Sequence, residues 1–159
     1  MAKKIDIAAI AAVIGTLYPP PFDTPCRRRE RKPLAVSAGL TQFGVNLLRL
    51  PPGAWSSQRH WHDREDEFVF ILAGEATLVT DAGAETLRAG QCAAFKAGEQ
   101  DGHCLQNRSN ADVLALEIGS RIAGDGATYS DIDLLAPAEG PRYTRKDGTA
   151  YPDMPRSAG

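Results

Sequence analysis

Between residues 34 and 118 the sequence is a series of short apolar segments separated by turns that contain glycine or asparagine. Segments of about four to eight residues, rich in β-branched and aromatic side chains, predict β-strands, since helices need longer periodic runs. The predicted strands cover residues 43–50, 67–72, 76–80, 85–87, 91–95, 103–107 and 113–118. This many short strands at such spacing predicts an all-β barrel or sandwich.

The chain has 159 residues, which is the length of one domain. We divide it into an N-terminal arm (residues 1–35), a barrel core (36–121) and a C-terminal strand and hairpin arm (122–159) that packs on the barrel or on a partner subunit. Residues 5–15 predict a short apolar helix. Residues 18–22, which include three consecutive prolines, are predicted to be extended. Asp147-Gly148 predicts a hairpin turn.

Charge and cysteine usage limit the partners and the compartment. The net charge is −2, which gives no general attraction to nucleic acid or to anionic membranes. No run approaches the roughly 18 apolar residues that cross a bilayer. The three cysteines, Cys26, Cys92 and Cys104, are an odd number without a CxxC pair. We therefore expect reduced thiols, a cytoplasmic location, and neither nucleic acid nor a membrane as a partner.

A basic run occupies residues 27–32 of the N-terminal arm, where four arginines and a lysine surround Glu30. Such a run could bind an anionic ligand or partner. Basic runs near a terminus are also typical of solvated arms and surface ion-pair strips. The sequence leaves both interpretations open.

Two histidines lie one residue apart at His60 and His62. Because side chains alternate along a strand, both imidazoles point to the same face. Glu67 opens the next predicted strand, and His103 lies on a strand farther along the chain. Three imidazoles and one carboxylate suit a divalent transition metal. The HxH pattern alone is equally typical of a half-exposed strand, in which polar residues alternate.

Neighbouring polar residues leave two further questions. Glu65 or Asp66 would supply the carboxylate in place of Glu67 if the turn were shifted, although Phe68 and the apolar alternation after it favour Glu67. Gln58 is predicted to share the histidine face and to hydrogen-bond a substrate oxygen at the barrel mouth. A buried glutamine satisfied by the backbone is the alternative.

These residues resemble the two motifs of small single-domain cupins, over about residues 40–120. The matching positions are Gly53, His60, His62, Glu67 and Gly74 for the first motif and Gly90, Gly98, His103 and Asn107 for the second. Lys96 replaces the usual proline of the second motif. Four residues in place of two, Glu99 to Gly102, separate Gly98 from His103, and Gly102 is predicted to let the backbone bulge and restore the register.

The resemblance implies an all-β double-stranded β-helix, or jelly-roll, with His60, His62, Glu67 and His103 holding one divalent transition metal ion (Zn, Fe, Mn or Ni). The chain also looks like bacterial sugar-phosphate isomerase-like cupins. The expected ligand is a small oxygen-rich metabolite, processed by isomerase, decarboxylase or dioxygenase chemistry. The alternative is a non-catalytic binding or sensor cupin. No catalytic residue beyond the ligands is identified. Terminal arms that cover barrel edges predict a homodimer.

Overall fold

The computed structural model describes residues 4–158, which form twelve β-strands and a few short helical turns. The strands are β1 (Val13–Ile14), β2 (Glu30–Pro33), β3 (Phe43–Leu50), β4 (His60–His62), β5 (Glu67–Ala73), β6 (Glu75–Thr80), β7 (Gly83–Arg88), β8 (Cys92–Phe95), β9 (Cys104–Gln106), β10 (Val113–Ser120), β11 (Ala127–Tyr129) and β12 (Leu135–Ala136). Helix α1 spans Leu34–Ser37, and 3₁₀ turns span Ile7–Ala9 and Thr24–Cys26.

The strands form two antiparallel layers. One sheet has the order β1-β2-β3-β10-β5-β8. The other layer consists of two three-stranded sheets, β12-β11-β4 and β7-β6-β9. Isolated bridges from Trp55 to Gln106 and from His60 to His103 join these two sheets edge to edge. The predicted all-β architecture is confirmed.

Alternation along the strands sends one set of side chains between the layers. In β5, Val69 and Ile71 are buried and Leu72 is exposed, which places Glu67 on the inward face. Both layers contribute to the core, which consists of Leu48, Leu50, Ala54, Val69, Ile71, Ala76, Leu78, Leu87, Leu105, Val113 and Ala115. Glu67 therefore lies at one end of a packed apolar core.

The N- and C-terminal segments pack on each other. Thr16 pairs with Ser157 across an isolated bridge, and Tyr18 packs against Tyr129 and Tyr143. The predicted turn at Asp147-Gly148 closes a hairpin, in which the Arg145 N–H donates to the Thr149 carbonyl at 2.8 Å. Both termini thus add aromatic side chains beside the barrel.

Two local predictions for the arm are wrong. Residues 5–15 contain a single 3₁₀ turn followed by β1, which pairs with β2. Residues 18–22 turn, with the Phe22 N–H donating to the Pro19 carbonyl at 3.0 Å and a cis Pro20-Pro21 bond. These short segments have no strong periodicity of their own, so their tertiary partners set their conformation.

Within residues 4–158, no helix is both long enough and apolar enough to span a membrane. All three cysteines are free, with Cys26 and Cys104 buried and Cys92 exposed.

Candidate metal centre

The site begins with a backbone pairing between two histidines. The His103 N–H donates to the His60 carbonyl at 3.0 Å, and the His60 N–H donates to the His103 carbonyl at 3.3 Å. Directly opposed residues of an antiparallel pair project from the same face, so both imidazoles point to one side. Their ring centroids are 5.3 Å apart. His62, two residues beyond His60, has its ring centroid 5.1 Å from that of His60.

Glu67 meets all three imidazoles through one carboxylate oxygen. Its Oε2 lies 2.9 Å from His103 Nε2, 3.8 Å from His60 Nε2 and 3.7 Å from His62 Nε2. The four side chains that the sequence singled out thus converge, and His60, His62 and Glu67 also offer ligand atoms within 4.8 Å of one another. His103 Nε2 lies at hydrogen-bond distance from the Glu67 carboxylate, and a metal bound at Nε2 would replace the proton that the two groups share.

The insertion from Glu99 to Gly102 leaves His103 within reach of Glu67. The Gly98 N–H donates to the His62 carbonyl at 2.8 Å, which holds the start of the loop against β4. At the end of the loop, a Cβ on Gly102 would lie 2.0 Å from Ser130 Oγ and 3.0 Å from Ser130 Cβ. The additional residues therefore loop outward between two fixed points, and the absence of a side chain at Gly102 permits the close approach.

Hydrogen bonds orient two of the imidazoles. His60 Nδ1–H donates to the Gln58 carbonyl at 3.0 Å, and His62 Nδ1–H donates to Asp125 Oδ2 at 2.6 Å. A ring whose Nδ1 carries the proton presents an unprotonated Nε2, which is the form that binds a metal. The donor set and its orientation therefore fit a divalent transition metal.

Asp125 is a site residue that the sequence analysis missed. Its Oδ1 accepts the backbone N–H groups of Arg64 and Glu65, at 2.8 and 3.1 Å, while Oδ2 holds His62. A lone aspartate between two glycines, about sixty residues from His62, is indistinguishable from an ordinary turn residue. No local signal pointed to it.

Aromatic rings enclose the histidines. Tyr129 stacks on His60 at a centroid distance of 5.4 Å, and Phe95 stacks on His103 at 3.5 Å. His103 is 7% exposed, and its Nδ1 is buried without a hydrogen-bond partner among the described residues. The two rings therefore cover one face each of His60 and His103.

Burial and mutual charge set the protonation states. Burial lowers the pKa of His60 to about 4 because it outweighs the opposing charge of Glu67, and the neighbouring imidazoles act in the same direction as burial. Burial alone would raise the pKa of Glu67, but the His103 hydrogen bond and the nearby imidazoles outweigh it and hold this pKa at about 2. At neutral pH the centre therefore has a neutral His60 and an ionised Glu67.

The neighbouring polar residues have other partners. Glu65 accepts the Ile122 N–H at 2.8 Å and pairs with Arg121, although its carboxylate also lies near His62 and Asp125. Asp66 accepts the Ala97 N–H at 2.8 Å. Glu67 is the carboxylate that faces the three imidazoles.

The Gln58 side chain has a backbone partner outside the centre. Gln58 precedes the first residue of β4, so strand alternation does not extend to it. Its Nε2 donates to the Phe22 carbonyl at 2.7 Å, and the side chain does not line the cavity described below. Gln58 contacts the site through its main-chain carbonyl, which accepts from His60.

The four converging side chains line a cavity of about 310 Å³. Its wall also includes Arg29 and Arg31 from the basic run, Glu117 from β10, and Tyr143 from the C-terminal hairpin. A cavity of this size accommodates a small metabolite.

Comparison with known proteins identifies the family. A family model for the cupin domain matches residues 46–119. A crystal structure described as a sugar phosphate isomerase of the cupin superfamily, from Silicibacter pomeroyi DSS-3, is 41% identical to this chain. The two superpose with a TM-score of 0.88 over 94% of this chain and 97% of the other. This chain belongs to the cupin superfamily. The jelly-roll fold class expected from the motifs is confirmed.

Other cupins show how far the likeness extends. A candidate sugar phosphate isomerase from Acidithiobacillus ferrooxidans ATCC 23270 is 27% identical, with a TM-score of 0.65 over 69% of each chain. A polyketide cyclase from Streptomyces resistomycificus is 18% identical, with a TM-score of 0.61 over 76% of this chain and 80% of the other, and shows the fold alone. No protein of curated function matches the chain. Because one fold hosts such different proteins, the function must be argued from the site.

Proposed function

We propose that this cupin is a metal-dependent enzyme that acts on a small oxygen-rich metabolite, a sugar derivative or a keto acid. The observation that carries the proposal is the convergence of three imidazole Nε2 atoms on one Glu67 oxygen inside a cavity of metabolite size. The 41% identical structure described as a sugar phosphate isomerase supports the sugar class. Isomerase, decarboxylase and dioxygenase chemistry all fit the donor set.

His60, His62, Glu67 and His103 are the proposed ligands of one divalent ion, either Zn, Fe, Mn or Ni. The bound ion would supply Lewis acidity toward oxygen atoms of the substrate. Asp125 and the Gln58 carbonyl hold two imidazoles in the required tautomer. Burial raises the pKa of Tyr143, so its hydroxyl stays protonated at neutral pH and can donate a hydrogen bond into the cavity.

Metal analysis tests the ligand assignment. Full-length protein purified without chelator is expected to contain about one transition-metal ion per chain, and a His60→Ala, Glu67→Ala double variant is expected to lose it. Glu65→Gln is the matched control, because Glu65 is bonded to Arg121 and the Ile122 N–H; this variant should keep its metal. Full metal occupancy in the double variant would refute the assignment.

A binding or sensor cupin is the second candidate, and one observation favours it. Among the described residues that line the cavity, the carboxylates other than Glu67 are held in ion pairs, Glu117 by Arg31 and Glu65 by Arg121. No free carboxylate is therefore in place as a general base. A turnover assay on a panel of sugars and keto acids, run beside thermal-shift measurements, separates the candidates. Binding without turnover under every metal supports the sensor.

We further propose a cytoplasmic homodimer. Val13 and Ile14 of β1 are exposed at one edge of the larger sheet, and Phe43, the first residue of β3 in the same sheet, is also exposed. An apolar edge of this kind is stabilised when a second copy covers it. Light scattering coupled to size exclusion measures the mass, and a monomer at micromolar concentration would refute the dimer.

A further inference from the structure

Strand geometry divides the basic run between two environments. Arg31 lies on β2 opposite Leu48, which is fully buried, so its side chain faces the barrel interior. Arg29 lies two residues earlier, faces the same way, and is 7% exposed. Arg28, the residue before Arg29, is exposed. Two of the arginines therefore point inward, Arg29 buried and Arg31 half-buried, and are not part of a solvated strip.

The two interior arginines differ in how their charges are balanced. Arg31 makes a two-point ion pair with Glu117, with Nε–Oε2 at 2.6 Å and Nη2–Oε1 at 2.7 Å. Arg29 donates to the carbonyls of Gly15 and Ser56, and no carboxylate among residues 4–158 forms an ion pair with it. Burial, followed by the positive charge of Arg31, lowers the pKa of Arg29. A buried charge without a counterion is costly, and such charges are ordinarily paired.

Both guanidinium groups converge on one acceptor. Arg29 Nη1 and Arg31 Nη2 each donate to the Ser56 carbonyl, so the two cations lie side by side. Both line the 310 Å³ cavity that contains the histidines. A second cavity of about 240 Å³ shares Arg29 and Arg31 and adds Arg156.

The charge of the main cavity favours an anion. Its ion pairs cancel, which leaves Arg29 and Glu67 as the unbalanced charges among the described lining residues. The histidines must be neutral to act as ligands. A divalent ion bound to Glu67 would therefore give the cavity a net positive charge. Arg29 would add its own positive charge apart from the ion.

We propose that Arg29 and Arg31 form an oxyanion subsite for a carboxylate or phosphate group of the molecule that the cavity binds. Guanidinium N–H groups suit both oxyanions, and within residues 4–158 Arg29 Nη2 and Arg31 Nη1 make no hydrogen bond. The inference rests on the proposed function, because it assigns the substrate of the same cavity to the anionic metabolites. The bound anion would supply the negative counter-charge that Arg29 lacks among residues 4–158.

Titration calorimetry of the full chain tests the subsite, with inorganic phosphate, acetate and the neutral glycerol as probes. Metal-free and metal-loaded protein are titrated separately. At least one oxyanion is expected to bind saturably, and glycerol is not. Arg29→Gln should weaken that binding about tenfold or more, because a charge-assisted hydrogen bond is lost. Arg28→Gln removes the same charge from an exposed neighbour and should leave the affinity within about twofold.

A second variant, with the opposite expected effect, tests the subsite even if Arg29→Gln does not fold. Glu117→Gln removes the partner of Arg31 and should strengthen oxyanion binding about tenfold. Unchanged affinity in a folded Arg29→Gln or Glu117→Gln protein overturns the subsite. If neither variant folds, the wild-type titration decides, and the absence of saturable phosphate or acetate binding overturns it.

Metal content, measured on the same samples, separates this inference from the proposed function. Metal-free protein that binds an oxyanion through Arg29, and that takes up no metal, retains the subsite and refutes the metal centre. Metal-loaded protein that binds neither phosphate nor acetate refutes the subsite alone. Preference between the two probes identifies the group as phosphate or carboxylate.

Discussion

Asp125 orients His62, a histidine that the sequence identified without it. The carboxylate accepts the His62 Nδ1 proton at 2.6 Å and is itself fixed by two backbone N–H groups. Outer partners of this kind set the tautomer and the basicity of a ligand. For the proposed metal centre, the position of Asp125 therefore matters as much as that of His62.

Replacing Asp125 tests this dependence. In Asp125→Asn the amide oxygen can still accept the backbone N–H groups of Arg64 and Glu65, while the amide nitrogen faces His62 Nδ1. The imidazole then favours the tautomer with the proton on Nε2, so the nitrogen that faces the centre has no free lone pair for a metal. Metal affinity is expected to fall about 10- to 100-fold, measured by competition with a chromophoric chelator. Asp112→Asn, at a surface ion pair with Arg49, should leave it unchanged. Equal affinities in all three proteins would contradict the role of Asp125.

The contact between the two terminal segments, here called the crossing, depends on one glycine. Gly15 has a φ of +78°, and a Cβ there would lie 1.7 Å from the Ser157 carbonyl oxygen. Its own carbonyl accepts from Arg29 Nε at 3.1 Å. Gly15 therefore both permits the contact between the arms and holds the side chain of Arg29 in place.

A pair of glycine variants separates backbone strain from this contact. Gly39 has a φ of +77° with nothing within 4 Å of an added Cβ. Gly39→Ala should cost only the left-handed strain, about 1–2 kcal/mol. Gly15→Ala should cost about 3 kcal/mol or more, because the C-terminal segment must also move. Denaturant unfolding measures both free energies, and faster hydrogen exchange over residues 156–158 should accompany the second. Equal costs would show that the crossing adds nothing to stability.

Elements with their own periodicity were predictable from the sequence, and long-range placements were not. β3 was predicted at its observed bounds, and alternation alone placed His60 with His62 and Glu67 with Val69 and Ile71. These are properties of neighbouring residues. The burial of Arg29 and the approach of Asp125 depend on pairings between distant segments, β2 with β3 and β11 with β4, which leave no local pattern. The arm predictions failed for the same reason.

At the level of the complete protein, metal binding is expected to act as a folding ligand. The four proposed ligands come from β4, β5 and the residue before β9, so the ion would join both layers. At a free metal concentration of about a thousand times Kd, binding stabilises the native state by about 4 kcal/mol. For a chain of this size that corresponds to a rise in Tm of about 10 °C.

Removing the metal tests this coupling by calorimetry. Chelator treatment of the wild type should lower Tm by about 10 °C, and readdition of the ion should restore it. The His60→Ala, Glu67→Ala variant is the control, since its Tm should not respond to chelator. A wild-type Tm that is insensitive to chelator, in protein shown to have lost its ion, would separate metal binding from stability.

The backbone pairing of His60 with His103 also affects how relatives of this protein are recognised. The two backbone hydrogen bonds between these residues fix the position of His103 opposite His60. The number of residues in the preceding loop is therefore free to change. Insertions and deletions can accumulate between Gly98 and Gly102 without moving an imidazole. A sequence search that demands a set interval between the motif glycine and the third histidine would overlook proteins built in this way. A search that allows the interval to vary, and asks instead for the HxH pair and its glutamate, would recover them.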